Sequence, residues 1–121
     1  MSAKKALIVD DSTVTRLMIK KIIGELPLDC EFTESDSADK AKDILNGISQ
    51  LDFATIDQNM PGTLTGLELA SIVKQKFPDA KVALITANIQ DAIRNQAAAI
   101  NIDFIEKPIS PEKLTPFIKK V

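Results

Sequence analysis

LDFATIDQNMPG, residues 51–62, is a short apolar run that breaks off at a carboxylate. Leu51, Phe53, Ala54 and Ile56 have the apolar, partly β-branched character of a buried strand, and Gln58, Asn59, Pro61 and Gly62 supply turn chemistry directly after Asp57. Asp57 therefore stands where a buried strand ends. In an open parallel sheet, ligands and reacting groups gather in the crevice beyond the carboxyl ends of the strands, which makes Asp57 a candidate site residue. A carboxylate that only bonds the backbone of its own turn explains the residue equally well in isolation.

The flanking segments repeat the pattern. Toward the N-terminus, Ala6-Leu7-Ile8-Val9 is a continuous apolar run, as suits a strand covered on both faces, and it ends at Asp10-Asp11. Ser12 or Thr13 caps a helix in which Val14, Leu17, Met18, Ile22 and Leu26 form an apolar stripe that stops before Pro27. Cys30 to Thr33 reads as a weaker strand. Ser37 caps a second helix with Ala38, Ala41, Ile44 and Leu45 facing inward, ending near Gly47. Toward the C-terminus, Leu67, Leu69, Ala70, Ile72 and Val73 build a third helix that ends at Phe77-Pro78. Val82 to Ile85 is a strand ending at Thr86, an alanine-rich helix spans about 90–99, and Ile102 to Ile105 leads into Glu106-Lys107-Pro108. Ser110 and Pro111 open a last helix carrying Leu114, Phe117 and Ile118, and Pro116 is expected to kink it or restart it with Thr115 as cap. Five β-like runs alternating with five helical ones predict an α/β fold, a parallel sheet with helices on both faces and right-handed crossovers.

Composition narrows the function. The chain has 121 residues, 45% of them hydrophobic, which suits one domain over 1–121 with its own core. A net charge of -2 with lysines scattered among acids leaves no basic stripe for nucleic acid. No apolar run approaches the roughly 18 residues of a membrane span, and no secretory apolar region follows Met1 to Lys5, so a cytoplasmic location is expected. The single cysteine, Cys30, cannot form an internal disulfide, and packing is its expected role. The absence of histidine removes Ser/His/Asp catalysis and the usual zinc ligand sets.

With the first, third, fourth and fifth strands adjacent and parallel, Asp10, Asp11, Asp57, Thr86 and Lys107 fall on one edge of the sheet. Independent loop residues have no reason to follow apolar runs so regularly. Carboxylates held in contact repel by about 4 kcal/mol per pair at an effective dielectric of about 20, and a cation has to offset this. The available ligands are hard oxygens, which favours Mg²⁺ or Mn²⁺ over zinc or copper. A divalent ion, an ammonium group and a hydroxyl around a central carboxylate suit attack of that carboxylate on a phosphoryl group.

At these residues the chain resembles the receiver domains of two-component response regulators, most closely the single-domain chemotaxis type. Asp10-Asp11, Asp57 with Asn59-Met60-Pro61-Gly62, Gly66-Leu67-Glu68-Leu69, Thr86-Ala87 and Lys107-Pro108 carry the resemblance over the whole chain. It implies a flavodoxin-like, doubly wound sheet in the order 2-1-3-4-5 with five helices. It implies that Asp57 accepts a phosphoryl group from a histidine kinase, with Asp11 and Asp57 binding Mg²⁺ directly, Asp10 through water and Asn59 through its backbone carbonyl. Thr86 and Lys107 would each hold a phosphoryl oxygen, and the Lys107-Pro108 bond would be cis. Phe104 matches an aromatic switch position, though an ordinary half-buried strand aromatic explains it as well. The implied output is binding of a downstream protein, possible in chemotaxis, through the fourth helix, fifth strand and fifth helix, as a monomer or a phosphorylation-dependent dimer. The resemblance makes the protein no enzyme beyond its own phosphotransfer and autodephosphorylation.

The sequence also departs from the family. The loop Gly62-Thr63-Leu64-Thr65 is a residue longer than usual and lacks the acid common before Gly66, and the last helix is expected to be short. Gln58, Asn59, Ala87 and Asn88 flank the expected pocket. A phosphorylation-independent interaction module of the same fold and a receiver cut from a longer regulator remain open. An aspartate-based phosphohydrolase needs a DxD spacing that Asp57-Gln58-Asn59 lacks, and flavin binding lacks a Gly-rich or Ser/Thr-rich phosphate loop after Val9.

Overall fold

A computed structural model describes residues 3–87 and 90–121. Strands and helices alternate as β1 (Lys4–Val9), α1 (Thr13–Gly24), β2 (Cys30–Ser35), α2 (Ala38–Leu45), β3 (Phe53–Asp57), α3 (Gly66–Lys76), β4 (Lys81–Thr86), α4 (Asp91–Ala99), β5 (Asp103–Glu106) and α5 (Pro111–Ile118). All strand pairs are parallel, and the sheet order is β2-β1-β3-β4-β5. The direction of winding reverses at β1 and β3, the place where an open α/β sheet leaves a crevice.

Alternation along the strands builds two cores. Leu7, Val9, Ala54, Ile56 and Leu84 face α2, α3 and α4, meeting Leu45, Leu69, Val73 and Ala97. Ala6, Ile8, Phe53, Ala83 and Ile85 face α1 and α5, meeting Ile19, Ile23, Leu114 and Phe117. The Phe53 and Phe117 rings pack edge to face with centroids 6.2 Å apart, across the middle of this second core. Both faces of the central strands are covered, which is why Ala6–Val9 of β1 and Val82–Ile85 of β4 read as continuous apolar runs, while β3 is apolar apart from the buried Thr55 and the terminal Asp57.

Helix starts follow the expected caps. Ser12 accepts from Thr15 N and Ser37 from Lys40 N, while Thr65 and Glu68 form a reciprocal capping box at α3. Thr65, directly before Gly66, is thus the N-cap of α3.

Two expectations need correction. In α1 the buried residues are Ile19, Ile22 and Ile23, whereas Val14, Leu17 and Met18 are 66%, 55% and 40% exposed. Ile19, Ile22, Ile23 and Leu26 make a second stripe at spacings of three, four and seven, and it shares Ile22 and Leu26 with the first. Periodicity alone does not choose between two such stripes. In α5, Pro116 lies inside one continuous helix, with no restart at Thr115, and Lys119 N donates to Thr115 O at 2.9 Å beyond it. Pro116 and Glu112 are both exposed, so the carbonyl that loses its donor faces solvent and the helix continues.

Candidate functional site

The strand ends set the backbone of the site. Asp10 N donates to Ser35 O at 3.0 Å, Asp10 Oδ1 accepts from Ser12 N at 2.9 Å, and Arg16 of α1 donates to the Asp10 carbonyl while pairing with Glu34 at 3.1 Å. After Asp57, Gln58 N donates to Ile85 O at 2.9 Å and its side-chain Oε1 accepts from Leu67 N at 2.8 Å. Gly66 presses against this corner, since a Cβ there would stand 2.2 Å from the Asp57 carbonyl oxygen. Lys107 N donates to Thr86 O at 2.8 Å, and the Lys107-Pro108 bond is cis. Lys113 of α5 donates to the carbonyls on either side of Lys107, Glu106 O and Pro108 O, each at 3.2 Å.

Four of the expected residues meet. Oxygens of Asp10, Asp11 and Asp57 lie within 4.8 Å of one another. Lys107 Nζ stands 3.2 Å from Asp10 Oδ2 and 3.4 Å from Asp57 Oδ1. Asp10 and Asp57 are buried, Asp11 is exposed and Lys107 half-buried, so the group opens on the Asp11 side. Thr86 is fully buried at the end of β4, and its hydroxyl accepts from Asn59 Nδ2 at 3.4 Å. Phe104 sits half-buried on β5 beside Leu84, two residues before the strand ends, with the Arg94 guanidinium 5.5 Å from its ring centroid. Ala87 is exposed next to Thr86, and Asn88 lies outside the described residues.

Burial and the neighbouring Asp10 charge push the Asp57 carboxyl up to about 6, against the lowering pull of Lys107 and the Asn59 backbone N–H. Burial works against the charged form of Lys107, but Asp10 and Asp57 overcome it and hold its pKa above the ordinary lysine value.

These donors fit a hard divalent cation. They are carboxylate oxygens from the loop after β1 and from the last residue of β3, and three carboxylates against one ammonium leave the fully ionised group two charges negative. Asp10 Oδ2 is buried and receives no hydrogen bond among the described residues, the Lys107 contact being an ion pair without hydrogen-bond geometry. Such an oxygen gains from a positive partner.

Sequence reasoning missed Arg16, Lys113 and Asp39, which hold the loops carrying these side chains. Asp39 reaches a segment more than twenty residues away, while Arg16 and Lys113 reach back to carbonyls of the stretches leading into their own helices, and neither kind of contact leaves a periodic pattern.

The response regulator receiver domain family model matches residues 6–119. The response regulator protein PilR of Pseudomonas aeruginosa is 30% identical over 120 residues, covering 98% of this chain but 26% of PilR, so the chain spans about a quarter of that relative. The chemotaxis protein CheY of Listeria monocytogenes is 32% identical over 123 residues, with 96% of each chain covered. Among solved structures, a CheY-like receiver domain protein from Methanospirillum hungatei superposes with a TM-score of 0.83 at 24% identity, covering 98% of this chain and 93% of that one.

Proposed function

The chain belongs to the response regulator receiver domain family, of the CheY type, and from that premise we propose that it is a phosphoacceptor switch whose acceptor is Asp57. The observation that supports this most is the meeting of a buried carboxylate with one ammonium and two further carboxylates at the sheet edge. An ionised Asp57 oxygen attacks the phosphorus of a histidine kinase's phosphoimidazole. The P–O bond forms as the P–N bond breaks, and the imidazole takes a proton as it leaves. Lys107, already within ion-pair reach of Asp57, neutralises one phosphoryl oxygen, and the Thr86 hydroxyl leaves Asn59 to donate to another. Asp10, Asp11, Asp57 and the Asn59 carbonyl would hold Mg²⁺, or Mn²⁺ in its place. The ion supplies charge neutralisation for the phosphoryl oxygens.

The phosphodonor has to reach Asp57 from the open edge of the sheet. Beside that edge α1 exposes Val14, Leu17 and Met18, and Met18 borders a cleft with Ala87, Pro108 and Ile109. We assign this apolar surface to the kinase. The signal leaves through α4, β5 and α5, where Phe104 under Arg94 is the switch residue and a downstream protein, possible in chemotaxis, binds. Residues 1–121 act as one receiver unit in the cytoplasm, and no described helix is long and apolar enough to cross a membrane.

Incubation with acetyl phosphate or phosphoramidate tests the reading. The expected result is a Mg²⁺-dependent gain of one phosphoryl group, roughly 80 Da, that Asp57→Asn abolishes. An unmodified wild-type chain, or a mutant modified as well as wild type, would overturn it.

A further inference from the structure

We propose that Asp39 is a positioning residue for the metal side of the site, a latch on α2 that fixes the loop after Asp57 and with it the Asn59 carbonyl. The inference rests on the function proposed above, which makes that carbonyl a ligand. Asp39 Oδ2 accepts from Thr63 N at 2.9 Å, and Asp39 Oδ1 accepts from Thr63 Oγ1 at 2.9 Å and Leu64 N at 3.1 Å. Three hydrogen bonds thus converge on one carboxylate from a segment more than twenty residues away in sequence. Such charge-assisted bonds are stronger than neutral ones.

Gly62 records the same approach independently. Its φ is +118°, a conformation open to glycine, and a Cβ at this position would stand 2.4 Å from Asp39 Oδ2. The loop passes so close to the carboxylate that no side chain fits between them.

Asn59 bonds Thr86 and the Met60 and Leu64 side chains pack against the first core, and the remaining anchors of the loop backbone lie at its two ends. At its start Gln58 is tied to β4 and α3, and at its end Thr65 and Glu68 close the capping box. Between these, the Thr63 and Leu64 amides find their acceptor on α2. The longer loop contains no acid of its own to take them. Asp39, Pro61 and Gly62 border the same cleft as Asp11, so the latch forms one rim of the opening beside the carboxylates. An outer residue that orients a ligand sets metal affinity without touching the ion.

The test measures the Mg²⁺ dissociation constant by calorimetry at fixed ionic strength, together with amide hydrogen exchange at Thr63 and Leu64 without metal. Asp39→Ala should weaken Mg²⁺ on the order of tenfold and deprotect both amides. Gly62→Ala, which changes no charge, should do the same. Asp39→Asn keeps an oxygen acceptor for Thr63 Oγ1 and Leu64 N, and should fall closer to wild type than Asp39→Ala. Asp36→Asn removes a nearby charge on the same cleft without touching the loop and should leave both readings unchanged. If Asp36→Asn weakens Mg²⁺ as much as Asp39→Ala, or Asp39→Asn matches Asp39→Ala, the effect is general electrostatics and the latch is overturned. It is equally overturned if the two amides exchange freely in wild type. Protected amides in a wild-type chain that binds no Mg²⁺ would instead overturn the function proposed above and leave the latch as architecture only.

Discussion

Burial, and then the Asp10 charge beside it, push the Asp57 carboxyl up to about 6, so in the metal-free protein its ionised form is disfavoured relative to the unfolded chain. The sign follows from proton linkage. A carboxyl whose folded value lies above its unfolded one keeps its proton longer in the folded state, so stability falls as pH rises from about 4 to 6 and stays lowered above that. Asp57→Asn should therefore stabilise the metal-free protein by up to about 2–3 kcal/mol at pH 7.5 and by almost nothing below pH 4. Urea unfolding at the two pH values reads the difference; equal effects at both would remove burial of the ionised form as the cause. Asp10, Asp11, Asp57 and Lys107 were legible in the sequence because each follows an apolar run, and a strand's end is where a doubly wound sheet collects chemistry. Asp39 was not, because an acid in the first turn of a helix already has a sufficient explanation in the helix dipole.

At the scale of elements, α1 shows where periodicity stops being informative. Its two apolar stripes share Ile22 and Leu26, and only packing against α5 and the sheet selects the one through Ile19 and Ile23. The other stripe is left outside, so Leu17→Gln should change stability by no more than about 0.5 kcal/mol. On the kinase-docking assignment it should weaken kinase-dependent phosphorylation of Asp57 by about 1 kcal/mol or more, while reaction with acetyl phosphate is unchanged. Comparing the two phosphodonors checks this, and an equal loss with both would place the defect in the site instead. The β3–α3 corner carries the opposite kind of constraint. Gly66 touches the backbone of Asp57 and Gln58 so closely that Gly66→Ala has to move one of them. An overpacking cost of about 1–3 kcal/mol is expected in denaturant unfolding, with slower acetyl phosphate reaction because the acceptor itself is displaced. Unchanged stability would mean that α3 shifts freely. The glycine was visible in sequence as part of the Gly66-Leu67-Glu68-Leu69 motif, but its contact with Asp57 depends on the angle between β3 and α3, which no spacing encodes. At Pro116 the helix does not restart, since the cost of an interior proline depends on whether the orphaned carbonyl can face solvent.

In the whole molecule, winding brings the ends of β1, β3, β4 and β5 to one edge, so that residues spread from 10 to 107 share a site. The alternation of elements made the parallel sheet and its covered faces legible. The loops that hold the site in register depend on side chains reaching between crossovers, and these emerge only once the sheet order is in place. The central claim is that this convergence makes Asp57 the acceptor. Borohydride reduction after reaction with acetyl phosphate and Mg²⁺ tests it most directly, because it converts an aspartyl phosphate to homoserine and marks the residue that carried the bond. Peptide mass analysis should find homoserine at position 57 alone and only when Mg²⁺ is present; homoserine at position 10 or 11, or at none, would contradict the account.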